Sequence, residues 1–211
     1  MINLLHSERK VYSQNGEDGV IDGIFNIIGT TNKFFVEFGV GLGGECNTRL
    51  LRESGWSGLW MDSECESDLV RKEFISFNNI NTILDKYNIP NSFDLLSIDI
   101  DGQDYWVWQA ITRRPRVVVI EYNGYLPVES RCVVAKDIHF VWTHDSYYGA
   151  GLEALRLLGE SMGYTLAYCE FQLVNLFFIA NECIPSGTSF EFRKTIRTNP
   201  IKSGRGIWIT V

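Results

Sequence analysis

The hydrophobic positions change period several times along the chain, and each change marks an element. Val20, Ile21, Ile24, Phe25, Ile27 and Ile28 recur at helical spacing, which predicts a helix that starts at Asn15 or Gly16 and ends at Gly29. Residues 33–38 form an apolar run broken by one acid, Glu37, and then by Gly39, Gly41, Gly43 and Gly44. A buried strand that ends in a tight turn has this pattern, since glycine alone takes positive φ freely and leaves the backbone bare to a ligand. Residues 46–54 read as a helix with Leu50 and Leu51 inward, and 58–62 as a second strand ending in Asp62. The pattern then fades to a short helix or loop over 63–76 and a poor third strand over 73–77. Ile80, Ile83, Leu84 and Tyr87 predict a helix that stops before Pro90.

The second half is more regular. A strand from Phe93 runs up to Asp99, Asp101 and Gly102, and a helix over 104–111 carries Trp106 and Trp108. Residues 116–123 are apolar on both faces until Glu121 and Asn123, as expected of a central parallel strand. Residues 124–146 have no sustained period, and a stretch of that length reads as a functional loop. Residues 148–162 predict an amphipathic helix closed by Gly163, followed by two strands, 164–170 and 173–180, in an antiparallel hairpin. From Cys183 the chain turns polar and partly basic. Residues 1–182 read as one domain and 183–211 as a loose extension, whose end Ile207, Trp208 and Ile209 could pin to the body.

Composition narrows the partners. The 211 residues carry 19 Lys and Arg against 26 Asp and Glu, a formal net charge of -7, which argues against nucleic acid as the main partner. No apolar run approaches the roughly 20 residues of a bilayer span, and the first ten residues do not form a leader. The expectation is a cytoplasmic protein with no membrane partner. Five widely spaced cysteines without a C-x-x-C pair read as reduced thiols rather than a zinc site or a disulfide framework. The oligomeric state leaves no trace in the sequence.

Strands alternating with helices imply an α/β, doubly wound parallel sheet, which binds ligands beyond the carboxyl ends of its strands. Acids stand at four such ends: Glu37, Asp62, the pair Asp99 and Asp101, and Glu121 with Asn123 beside it. That recurrence marks one shared site. The glycine run fits two fingerprints, the dinucleotide pattern Gly39-x-Gly41-x-x-Gly44 and an acid-first pattern, Glu37-x-Gly39-x-Gly41-x-Gly43. A carboxylate at Glu37 would attract the ammonium of S-adenosylmethionine and repel a dinucleotide pyrophosphate. Asn47 and Thr48, opening the next helix, offer free N–H groups to a polar or anionic ligand. Asp62 lies about 20 residues past the glycines, the usual distance of a ribose-hydroxyl acceptor. The polar stretch over 12–18, with Gln14 as candidate cofactor contact, is either a helix cap or a lid over the cofactor.

These segments resemble the FkbM-like branch of class I S-adenosylmethionine-dependent methyltransferases. The likeness is carried by Ser13-Gln14-Asn15-Gly16-Glu17-Asp18, Val36-Glu37-Phe38-Gly39-Val40-Gly41, Leu96-Ser97-Ile98-Asp99-Ile100-Asp101-Gly102, Val119-Ile120-Glu121-Tyr122-Asn123 and Tyr148-Gly149-Ala150. The resemblance implies a Rossmann-like seven-stranded sheet of order 3-2-1-4-5-7-6, its last strand antiparallel. It also implies Glu37, Gly39 and Gly41 at the methionine end of the cofactor, Asp62 on the ribose, and O-methylation of a sugar or other polar small molecule.

Methyl transfer to a hydroxyl needs alignment and a base or a metal. Asp99, Asp101, Glu121 and Asn123 are oxygen ligands of the kind Mg²⁺ prefers; equally, Asp99 can hold the cofactor while the others tie down backbone. Asp99 and His144 are the candidate catalytic groups, with His139 competing for the base. Two other functions stay open: cleavage or cyclisation of S-adenosylmethionine itself, and an NAD-dependent oxidoreductase.

Overall fold

A computed structural model describes residues 2–199 and 201–211. Its elements in chain order are β1 (Ile2–Asn3), α1 (Glu17–Ile28), β2 (Phe34–Phe38), α2 (Arg49–Glu53), β3 (Ser57–Asp62), β4 (Val70–Lys72), α3 (Ile80–Lys86), β5 (Ser92–Ile98) and α4 (Asp104–Ala110). They continue with β6 (Arg114–Glu121), β7 (Cys132–Val134), α5 (Leu152–Ser161), β8 (Tyr164–Cys169), β9 (Asn175–Ala180), β10 (Phe190–Glu191) and β11 (Trp208–Thr210).

Seven strands form the central sheet in the order β4-β3-β2-β5-β6-β9-β8. The first five are mutually parallel, and β9 runs antiparallel to both β6 and β8. Counted within the sheet, this is 3-2-1-4-5-7-6 with strand seven reversed, the Rossmann-like order of class I methyltransferase folds. Side chains alternate across it with period two. Phe35, Leu95, Val117 and Phe177 pack with Ile21, Ile24 and Leu51 on one face. Val36, Leu96, Val118 and Phe178 pack with Leu84, Trp108 and Leu155 on the other. Both faces are therefore covered, which explains the unbroken apolar runs of the central strands. Trp108 is core, 1% exposed, and Trp106 fixes a loop through Nε1 to the Val134 carbonyl at 2.9 Å.

Four expectations are corrected. The third strand is Val70–Lys72 rather than 73–77: its last rung is Glu73 N–H to the Asp62 carbonyl, after which Phe74 turns outward, 59% exposed. The helix after the glycines begins only at Arg49, because Glu37 takes the N–H groups of Asn47 and Thr48. The last helix begins at Leu152 rather than 148, because Gly149 has φ 59° and Ala150 bridges to Val133. The loop over 124–146 contains β7, which pairs antiparallel with β11 of the tail, Trp208 opposite Val134. The tail is thus bound to the body at both ends, since β10 also pairs with β1. All five cysteines are free thiols. No helix among the described residues is long and apolar enough to cross a membrane.

Candidate functional site

The carboxyl ends of β2, β3, β5 and β6 open on one side of the sheet, and the glycine turn lies between them. Gly39, at φ 74°, donates its N–H to the Met61 carbonyl at 2.9 Å, and a Cβ there would run into the Asp99 carbonyl oxygen. This position therefore demands glycine for both its conformation and its space. Gly41 N–H donates to Asp62 Oδ2 at 2.8 Å, and Glu64 and Cys65 N–H donate to Oδ1 at 2.9 Å. Burial alone would raise the Asp62 pKa, but these backbone donors outweigh it and hold the carboxyl below its ordinary value.

Glu37 is 4% exposed and its carboxylate is fully engaged within the protein. Oε1 accepts from Asn47 N–H at 2.8 Å and Ser97 Oγ at 3.3 Å; Oε2 accepts from Thr48 N–H at 3.0 Å and Thr48 Oγ1 at 2.5 Å. Asn47 Nδ2 donates to Ser97 Oγ at 3.1 Å, and Trp60 Nε1 to Thr48 Oγ1 at 2.7 Å. The expectation that Asn47 and Thr48 leave N–H groups free for a ligand is thus corrected: the protein's own carboxylate occupies them. Burial pushes the Glu37 pKa up, and the donors from Thr48, Asn47 and Ser97 only partly oppose it.

Two cavities meet at Gly39 and Asp99. One, of about 150 Å³, is bordered by Asp62, Ile75, Phe77 and Asp101 as well. The other, of about 180 Å³, is bordered by Gln14, Glu37, Glu45, Asn47 and Asn175. Gln14 reaches its place because the preceding loop folds onto Asp18, whose Oδ2 accepts from Val11, Tyr12 and Ser13 N–H, each at 2.8 Å. Of the two readings of this stretch, the cap holds through Ser13, whose Oγ accepts the Asp18 N–H in the first turn of α1 at 3.1 Å, while Gly16 at the helix start offers no side chain. Through Gln14 the same loop is also a wall of the second cavity.

Asp99, Asp101 and Glu121 bring one carboxylate oxygen each within 4.8 Å of one another. Glu121 is 9% exposed, and its Oε2 is buried with no hydrogen-bond partner. Asp101 sits at φ 57°, in the left-handed turn that leads to Gly102 at φ 151°. Asp104, which the sequence did not single out, fixes that turn by accepting from Ile100 N–H at 2.9 Å and Gly102 N–H at 2.8 Å. Burial raises its pKa to about 6 against those donors. Burial also drives Asp99 and Glu121 well above the usual carboxylate range, and the charges of their acidic neighbours add to the shift. Asp101 is raised too, chiefly by burial, with the charge of a protonated His144 offsetting part of it.

Asn123 is removed from the ligand set. Its Nδ2 donates to the Ser146 and Tyr148 carbonyls at 3.0 and 2.8 Å, and its Oδ1 accepts from Tyr125 N–H at 3.1 Å, so it ties down the loop. His144, at φ 57°, is exposed, with its ring 4.7 Å from that of Trp142. His139 borders a separate groove with Phe74 and Val141, not the acid cluster. The tail contributes Arg197, whose N–H donates to the Gly124 carbonyl at 2.7 Å and Nε to the Gln172 carbonyl at 2.8 Å, and whose charge lowers the Glu121 pKa in part. The sequence reading also missed Asn175. Its signal was a polar residue opening a strand that is buried at all six positions.

The three carboxylates suit a hard divalent cation. Oxygen ligands on opposite sides of such an ion, at about 2.1 to 2.5 Å from it, are about 4 to 5 Å apart. The unpaired Glu121 oxygen is one that a cation would satisfy.

No family model and no curated protein sequence matches this chain. In structure it is similar to LepI, solved in complex with SAM, at 12% identity and a TM-score of 0.37, over 76% of this chain and 46% of that one. The chain therefore spans about half the length of that protein.

Proposed function

We propose that this chain binds S-adenosylmethionine and transfers its methyl group to a hydroxyl of a sugar or other polar small molecule, with a divalent cation such as Mg²⁺ held by Asp99, Asp101 and Glu121. The reading also keeps the resemblance to the FkbM-like branch. One observation carries it: two acid-lined cavities joined at Gly39 and Asp99, of which the first also has an apolar wall. The first offers Asp62 to a ribose diol and Ile75 and Phe77 to a flat apolar base. The second presents carboxylates and no cationic side chain among its described lining, the environment an ammonium requires. A dinucleotide fits poorly, because its pyrophosphate needs free N–H groups at the first helix after the glycines, and Glu37 already holds these.

When bound, the cofactor would supply an electrophilic methyl group and the cation would acidify the acceptor hydroxyl. The chain's own task is alignment and proton removal. Asp62 and Gly39 orient the nucleoside, Gln14 and the second cavity hold the amino-acid end, and Asp99 stands at their junction. In this reading His144 takes the acceptor's proton. Replacing His144 by Asn lowers the rate by about 10²-fold while leaving cofactor affinity unchanged.

The test is isothermal calorimetry with S-adenosylhomocysteine, set beside a fluorescence titration with NADH. Transfer of radiolabel from S-adenosylmethionine to an extracted metabolite pool follows, with and without Mg²⁺. Absence of heat with S-adenosylhomocysteine overturns the reading. Product formation without any acceptor would show that the cofactor is itself cleaved or cyclised.

A further inference from the structure

We infer that Asn175, on the one strand of the sheet that runs antiparallel to its neighbours, is a ligand-binding residue whose side-chain oxygen receives a proton of the ligand's ammonium group in the cavity it borders with Gln14, Glu37, Glu45 and Asp99. The inference rests on the proposed binding of S-adenosylmethionine and extends it to a residue far in sequence from the glycine turn.

Asn175 is 3% exposed, and its Oδ1 is buried with no hydrogen-bond partner. Its other amide atom, Nδ2, donates to Glu17 Oε1 at 2.9 Å. A carboxylate accepts and cannot donate, so this bond fixes the amide in one orientation: nitrogen toward Glu17, oxygen away from it. Glu17 cannot turn aside, because Oε2 accepts from Asn15 N–H at 2.7 Å and Oε1 also accepts from Asn15 Nδ2 at 3.2 Å. The result is a rigidly held acceptor with nothing to accept from. A buried acceptor in that state is costly to the fold, and such atoms in native proteins mark a missing partner.

The chemistry of the cavity says what that partner is. Glu37 and Asp99 border it as buried or half-buried carboxylates, and Glu45 borders it while paired with Lys10 at 2.9 Å. No Lys, Arg or His is among its described lining residues. Glu37 has used its oxygens on Asn47, Thr48 and Ser97, so it contributes charge rather than a free acceptor. An ammonium group carries three donors in a compact volume and one positive charge. It would find its field in the carboxylates and a hydrogen-bond acceptor in Asn175.

The test compares two ligands on three proteins by calorimetry. S-adenosylhomocysteine carries the ammonium; 5′-methylthioadenosine has the same nucleoside and thioether without the amino-acid end. Asn175→Ala is expected to weaken S-adenosylhomocysteine by about tenfold, the size of one charge-assisted hydrogen bond, and to leave 5′-methylthioadenosine unchanged. Glu17→Gln keeps Asn175 but frees its amide to turn. It is expected to weaken S-adenosylhomocysteine selectively and by less. Equal losses for both ligands, or no loss for either, overturn this inference while leaving cofactor binding intact. If the unaltered protein binds neither ligand, the proposed function falls and the inference with it.

Discussion

Glu37 and Glu121 end neighbouring parts of the same sheet, both nearly sealed from water, yet their surroundings are opposite. Glu37 meets four donors. Glu121 meets Asp99 and Asp101, and one of its oxygens meets nothing. Burial raises both pKa values; donors resist the rise at Glu37, and like charges add to it at Glu121. The first carboxylate is structural, joining β2 to the start of α2. The second belongs to a cluster of acids that the fold brings close together, whose charge the proposed cation would offset.

The largest way to break this contrast is Glu37→Gln. The amide would turn an N–H toward the donors of Asn47 or Thr48 and leave a buried group unsatisfied, so about 3 kcal/mol of stability is lost, read from urea unfolding. Mg²⁺ should act in the opposite sense at the other acid cluster. At a free concentration about 100 times its Kd it adds about 2.7 kcal/mol, visible as a rise in Tm of several degrees. An unchanged Tm across millimolar Mg²⁺, Mn²⁺ and Ca²⁺ would remove the metal from the account. Glu121→Gln sharpens the contrast further. Relieving the repulsion is expected to gain about 1 kcal/mol while abolishing the metal-dependent rise, the trade of stability against function common at active sites.

The smallest effect is on pH dependence. Asp99, Glu121 and Asp104 have folded-state pKa values raised above their unfolded ones. Their contribution to stability is therefore fully present below the unfolded values of 3.8 and 4.5, and is lost as pH rises through the folded ones, about 6 for Asp104. Asp94, which bonds Arg116 at 2.7 Å near the amino ends of the central strands, works the other way. Its pKa is depressed, because Arg116 and the Thr31 and Lys33 N–H groups outweigh burial, so its contribution is lost as pH falls below 3.8. Metal-free protein should thus lose stability between about pH 4 and pH 6, and Glu121→Gln should flatten that slope.

Much of the fold was readable because its signal is local. The run from Phe34 to Phe38 and the glycine turn after it, the helix ending at Gly29, and the two apolar strands after Gly163 are set by periodicity and by glycine, and all form close to where the pattern puts them. The third strand was misplaced because only three residues pair there, held by Trp60, Met61 and Asp62 opposite them rather than by propensity. β7 and β11 were invisible for the same reason, since each exists only as the other's partner, Ile209 opposite Val133, far apart along the chain.

The sequence by itself determined the class of sheet, the glycine bend and the list of acids at the strand ends, because hydrophobic period and backbone freedom are properties of neighbouring residues. Only the tertiary structure decided what each acid does. Whether a carboxylate is a cap, a tie or a ligand depends on which donors reach it, and many come from afar: Ser97 to Glu37, Arg116 to Asp94, Asn175 to Glu17, nothing to Glu121 Oε2. Asn123 lost its place in the cluster and Asn175 gained one in the cavity by that same accounting, because a hydrogen bond is made in space and leaves no period in the chain.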